Sequence, residues 1–254
     1  MTEAVMTALV TGGARRIGRA ICLDLAAHGF AVGIHCNTSR GEADALKAEI
    51  EAAGGRAEVV EADLTDRRAL GGVIASATEA LGPIGLLVNN ASIFEDDKNS
   101  DFGWEVWDRH FALHVEAPAM LSRCFAASLP PRGEGLIVNI IDERVWRLTP
   151  RRFSYTLSKS ALWTLTRTMA QALAPNIRVN AIGPGPTLPN SRQQPEDFEA
   201  QTDSLILRRG PALEEFGATI RYLWDARSVT GQMIALDGGQ HLAWRTPDVT
   251  GIGE

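Results

Sequence analysis

The feature that most constrains this chain is a regular alternation of short, continuously apolar runs with longer segments whose apolar residues recur at helical spacing. Strand-like runs are read at 5–10, 30–36, 57–60, 85–88, 136–141, 177–182 and 233–236. Helical spacing is read at 17–28, about 41–53, 67–81, about 101–128 and 153–173, and Pro211 is expected to open a further helix as its first residue. Strands that are apolar at every position must be covered on both faces, and parallel pairing requires the helices between them as crossovers. The expectation is a three-layer α/β fold around a doubly wound, parallel, seven-stranded sheet. No linker, repeat or low-complexity tract interrupts residues 1–254, so one domain is expected.

Bulk composition narrows the partners. A formal net charge of −6 speaks against nucleic acid or an anionic membrane surface, since either requires a basic face. The first ten residues lack the basic stretch and long apolar run of a signal peptide or membrane span, so a cytoplasmic location is expected. Cys22, Cys36 and Cys124 lie far apart and form no ligand cluster, so no metal site is expected.

Local motifs point to a dinucleotide. The turn after the first strand reads Thr11-Gly12-Gly13-Ala14-Arg15-Arg16-Ile17-Gly18. Glycines here let the backbone approach a pyrophosphate, and the helix that follows offers free N–H groups and the positive end of its dipole. The second strand ends Ile34-His35-Cys36-Asn37 without the carboxylate that would hydrogen-bond a ribose 2′-hydroxyl. Asn37, Thr38, Ser39 and Arg40 follow, and Arg15 lies in the glycine turn. Cations and hydroxyls suit a 2′-phosphate, so the cofactor is read as NADP(H).

Tyr155 and Lys159 stand one helical turn apart near the start of a helix and share one face. A free phenol has a pKa of about 10, and the neighbouring ammonium is expected to lower it toward neutrality; a shift of about three units is worth roughly 4 kcal/mol.

Taken together, these motifs resemble the short-chain dehydrogenases/reductases over essentially the whole chain. The glycine turn, Asp63-Leu64 after the third strand, Asn90-Ala91-Ser92 after the fourth, the Tyr155/Lys159 pair, Pro184-Gly185 and Asp237-Gly238-Gly239 carry the likeness. The resemblance implies a Rossmann fold and a homotetramer built through the helices at 101–128 and 155–173. In it, Gly12, Arg15, Arg16, Ile17, Gly18, Asp63, Leu64, Asn90, Ala91, Ser92, Tyr155, Lys159, Pro184 and Gly185 contact the cofactor.

Four departures from the common pattern resemble one branch, the pteridine reductases, dihydromonapterin reductases among them. Arg16 replaces the middle glycine, Ser92 replaces a glycine, His114 replaces an asparagine, and Asp142 replaces the serine near the end of the fifth strand. The branch implies a pterin-like substrate held by Arg16, Ser92, Phe94, Asp142 and Tyr155 beneath a loop at about 184–204. It implies catalysis by Asp142, Tyr155 and Lys159, with His114 a candidate proton relay. Two other readings stay open: a carbonyl or 3-oxoacyl reductase, which should prefer serine at 142, and a non-catalytic NADP-binding protein. Whether Trp104, Trp107 and Trp146 shape the pocket also stays open.

Overall fold

A computed structural model describes residues 6–189, 194–246 and 250. The strands are β1 (Thr7–Val10), β2 (Ala31–Cys36), β3 (Arg56–Glu61), β4 (Leu86–Asn89), β5 (Gly135–Ile140), β6 (Ile177–Pro184) and β7 (Met233–Leu236). The helices are α1 (Arg16–Ala27), α2 (Arg40–Ala52), α3 (Arg67–Leu81), α4 (Trp104–Phe111), α5 (Ala117–Ser128), α6 (Phe153–Ala172), α7 (Pro195–Asp203) and α8 (Leu213–Asp225). All seven strands run parallel in the order β3-β2-β1-β4-β5-β6-β7.

The continuously apolar strands supply two cores at once. Ala8, Val10, Leu86, Val88, Leu136 and Val138 face α1, α2 and α8. Their neighbours Leu9, Leu87 and Ile137 face α3, α5 and α6 on the other side. The strand period of two thus makes each strand amphifacial, and the order reverses between β1 and β4, which opens a crevice at their carboxyl ends. Gly29, at φ +87°, ends α1 with paired bonds from the Gly29 and Phe30 N–H groups to Ala26 and Leu25.

Three boundaries differ from the expectation. The segment at 101–128 is not one helix: a π-helical turn, Ala112–Glu116, separates α4 from α5. Pro118, in the first turn of α5, has no N–H for the His114 carbonyl four residues back, so the winding widens there. Within the expected irregular loop, Pro195 instead starts α7, with Glu196 and Asp197 placed against the positive end of its dipole. Pro211 is not the first residue of a helix; α8 starts after Ala212, whose N–H is received by Glu215 at 3.3 Å. Val5 and positions 190–193 of the loop lie outside the described residues. Among the described residues, no helix is long and apolar enough to cross a membrane.

Candidate active site

The crevice is a cleft of about 790 Å³, roomy enough for the reactive end of a dinucleotide and a small ring system. Its floor is the glycine turn. Gly12 has φ +60°, and a Cβ on Gly18 would lie 2.2 Å from the Gly12 carbonyl oxygen, so α1 is seated directly on the turn. Asn90 locks it by donating to the Thr11 carbonyl at 2.8 Å, while Thr11 Oγ1 receives the Asn90 and Ala91 N–H groups at 2.9 and 3.0 Å. His35 supports it from below: Nδ1 receives the Gly12 N–H at 3.1 Å and Nε2 reaches the Ala62 carbonyl at 3.1 Å. Burial lowers the His35 pKa to about 4, so the ring stays neutral in this role. The start of α1 has no side-chain cap, which leaves its first N–H groups for an anion; a pyrophosphate suits this cradle.

Asn37, Thr38, Arg40, Asp63 and Leu64 do not line the cleft, whereas the other positions expected to contact a cofactor do. Arg40 pairs with Asp44 at 3.0 Å and Glu61 at 3.4 Å, and Arg15 pairs with Glu42. Exposed pairs of this kind are worth about 0–1 kcal/mol, so both guanidiniums can turn to a phosphate at small cost. Asp63 Oδ1 accepts from Thr65 N and Oγ1 at 2.9 and 2.7 Å. Leu64 is buried in the core beside α3.

The catalytic wall departs from expectation in its electrostatics. The Tyr155 hydroxyl donates to Asp142 Oδ2 at 2.8 Å. Asp142 also receives the Arg144 backbone N–H at 3.0 Å and the Arg144 guanidinium at 3.2 Å. Lys159 is buried and donates to the Ile140 carbonyl at 3.0 Å. Its ammonium lies over the Tyr155 ring, 5.7 Å from the centroid, rather than at the phenolic oxygen. Burial, and then the Asp142 carboxylate, push the Tyr155 phenol well above its ordinary value, the reverse of the expected lowering. Burial brings Lys159 down to about 8. The site therefore holds a neutral phenol that donates its proton to a carboxylate.

Phe94 stands at the rim, its ring edge-on to Tyr155 at 4.8 Å and with the Arg152 guanidinium 4.6 Å over it. Arg16 adopts φ +53°, the left-handed conformation that suits glycine, and its guanidinium donates to the carbonyls of Pro189 and Leu188 at 3.1 and 3.2 Å. The glycine turn and the 184–204 segment are thereby tied together. His114 is fully buried and bonded to Ser92 and Ser158. Trp104 and Trp107 pack with Phe102, whereas Trp146 packs with Trp163 and His241; none of the three tryptophans lines the cleft.

Sequence reasoning passed over Glu143, Arg144, Arg152 and His110. Glu143 follows Asp142 in a 3-10 turn, is 3% exposed, and its Oε2 has no hydrogen-bond partner among the described residues. Burial, reinforced by Asp142, raises its pKa from 4.5 to about 7. A carboxyl raised on folding holds its proton longer in the native state, so it favours folding at low pH and loses that contribution as pH climbs from about 4.5 to about 7. Glu143→Gln should therefore raise the unfolding free energy measured in urea near pH 8, by at most roughly 3 kcal/mol, and barely move it near pH 4. Equal shifts at both pH values would show that Glu143 carries no raised pKa.

Comparison with known proteins places this geometry. The family model for short chain dehydrogenase matches residues 6–200. L-xylulose reductase of Bos taurus is 35% identical over 244 residues, covering 91% of this chain and 95% of its own. The short-chain dehydrogenase/reductase FrzI of Cladobotryum is 34% identical over 245 residues, with 91% and 94% covered. Two crystal structures are nearer: FolM alternative dihydrofolate reductase 1 from Brucella suis, in complex with NADP, is 59% identical with a TM-score of 0.94, covering 96% of this chain and 98% of its own. The Brucella canis protein of the same name, also complexed with NADP, is 58% identical with a TM-score of 0.95, covering 98% and 100%.

Proposed function

The chain belongs to the short-chain dehydrogenase/reductase family, and we propose that it is an NADPH-dependent reductase whose substrate is a dihydropterin-type C=N bond. NADP(H) is the cofactor of this reading: its pyrophosphate suits the start of α1, its 2′-phosphate suits Arg15 and Arg40 with Ser39 between them, and when bound it supplies the hydride. Lys159, Asn90 and the Pro184-Gly185 turn hold its nicotinamide end.

The observation that carries the substrate class is the 2.8 Å bond from Tyr155 to Asp142, at a position where a ketone reductase wants a hydroxyl. Hydride transfer to a carbonyl builds negative charge on oxygen, and a carboxylate at that spot opposes it. Hydride transfer to C=N is helped when the nitrogen first takes a proton and becomes cationic, and a carboxylate favours that cation. Tyr155 and Asp142 then act as one unit. The phenol delivers a proton to the ring nitrogen while the carboxylate holds the positive charge, and solvent restores the phenol. Phe94 offers an aromatic surface for a flat ring, and Arg16 holds the loop that covers it. The names of the two Brucella relatives agree with a substrate of this type. The exposed Trp104 on α4 and Leu157 on α6 support a tetramer assembled through those helices.

NADPH oxidation assayed against a dihydropterin, dihydrofolate and a simple ketone tests the reading. Turnover of the dihydropterin well above that of the ketone is expected. Turnover of the ketone alone would replace the proposal with a carbonyl reductase.

A further inference from the structure

His114 sits on the π-helical turn, fully buried, between the loop after β4 and α6. Its Nε2 receives the Ile93 backbone N–H at 3.3 Å, and a backbone N–H can only donate, so Nε2 carries no proton. Burial, with Lys159 and His110 adding repulsion, holds the ring neutral by lowering its pKa well below 6.5. The one ring proton is therefore on Nδ1, which donates to Ser158 Oγ at 2.8 Å, and Ser158 passes its own proton to the Tyr155 carbonyl at 2.8 Å. The other neighbour of Nε2 is Ser92 Oγ at 3.0 Å, and against an unprotonated nitrogen that hydroxyl is the donor. Two other acceptors face Ser92, the Ile93 carbonyl at 3.4 Å and the Tyr155 hydroxyl, and the imidazole contact is shorter than that to the carbonyl.

A second rung of the same build braces the first. His110 stacks on His114 at 5.5 Å with an interplanar angle of 21°. It receives the Glu95 N–H at 3.4 Å, lies 2.7 Å from Ser154 Oγ, and Ser154 in turn donates to Asp97. Two histidines spaced by four residues thus meet two serines spaced by four on α6, with the hydrogen bonds of both rungs running the same way.

We propose that His114 is a positioning residue that fixes the polarity of Ser92, so that this hydroxyl meets the substrate as an acceptor and selects a ligand edge bearing an amino group. The inference rests on the reductase reading above and deepens it. Ser92 lines the cleft with Asp142 and Tyr155, and the unprotonated Nε2 at 3.0 Å draws its single proton toward the imidazole. An acceptor at Ser92 matches the exocyclic NH₂ of an aminopyrimidine and mismatches a ketone, which brings only lone pairs. Once a ligand covers the cleft, an acceptor left facing another acceptor is expected to weaken binding by about tenfold, enough to discriminate between the two.

The test compares a dihydropterin with its 2-desamino counterpart in the full-length enzyme with NADPH. Ser92→Ala and His114→Phe should each raise KM for the amino substrate about tenfold more than for the desamino one, and the double variant should lose no more than Ser92→Ala alone. His114→Gln, whose amide can accept from Ser92 and donate to Ser158, should recover most of the loss. Nitrogen NMR of the histidine-labelled wild type supplies a readout free of any substrate, and should show His114 protonated on Nδ1. An Nε2–H tautomer, or losses equal on both substrates, or additive losses in the double variant, would overturn the proposal and leave the reductase reading standing. Failure of the wild type to reduce any dihydropterin would instead remove that reading, and the substrate selection proposed for Ser92 with it.

Discussion

Replacing Tyr155 with phenylalanine is expected to lower kcat for a dihydropterin by about a thousandfold, within the 10²–10⁴ that a positioned proton donor contributes. The ring itself is anchored independently of its hydroxyl. It is 5% exposed, packs edge-on against Phe94 at 4.8 Å and against His114 at 5.4 Å, and phenylalanine preserves all of this. What disappears is the proton donor and one bond to Asp142, which keeps the Arg144 guanidinium at 3.2 Å and the Arg144 N–H at 3.0 Å. The fold and the cofactor cradle are thus untouched, and NADPH affinity read by fluorescence titration should stay within about threefold, less than 1 kcal/mol. Burial and Asp142 disfavour the phenolate, so Tyr155 stays protonated across the neutral range. A Tyr155→Phe enzyme that turns over at the wild-type rate would end the assignment of Tyr155 as proton donor.

Much of this was legible in the sequence, for reasons that are local. Continuous apolar strands alternating with helical spacing leave few arrangements besides a doubly wound sheet, and residues such as Leu9 and Val10 show why, since each faces a different core. The glycine turn announces itself because only glycine tolerates the 2.2 Å approach at position 18. The helix at Pro195 was also written in the sequence, as proline followed by two acids, but a proline-rich flank concealed it. What could not be read is whatever depends on contacts across the sheet. Spacing shows that Tyr155 and Lys159 share a helix face, yet the ammonium donates to the Ile140 carbonyl, 19 residues distant, and the phenol to Asp142. The unpartnered carboxyl of Glu143 and the clasp of Arg144 on Asp142 follow from burial in the turn after β5, which no residue pattern encodes.

Exchanging Asp142 for serine, the residue common in this position among relatives, should reverse the substrate preference rather than merely weaken the enzyme. The reason is the sign of the charge that develops beside it. At about 4 Å and an effective dielectric constant near 20, a unit charge interacts with a carboxylate by about 4 kcal/mol, in favour of a cationic ring nitrogen and against a nascent alkoxide. Arg144 offsets part of that field, so a loss of about a hundredfold in kcat/KM on a dihydropterin is the expected outcome, well below the full Coulomb figure. Serine can donate to an oxyanion where aspartate cannot, so ketone reduction should rise in the same variant. Asp142→Asn separates the two effects, since it keeps the shape and one acceptor while removing the charge. It should lose dihydropterin activity nearly as far as serine does, with a smaller gain on ketones. Either variant leaves Arg144 without its carboxylate, so a thermal melt must accompany the kinetics to confirm that the fold persists. Should the serine enzyme keep its dihydropterin activity with no gain on ketones, the charge at 142 does not set the chemistry, and the preference must come from the shape of the cleft around Phe94 and Arg16.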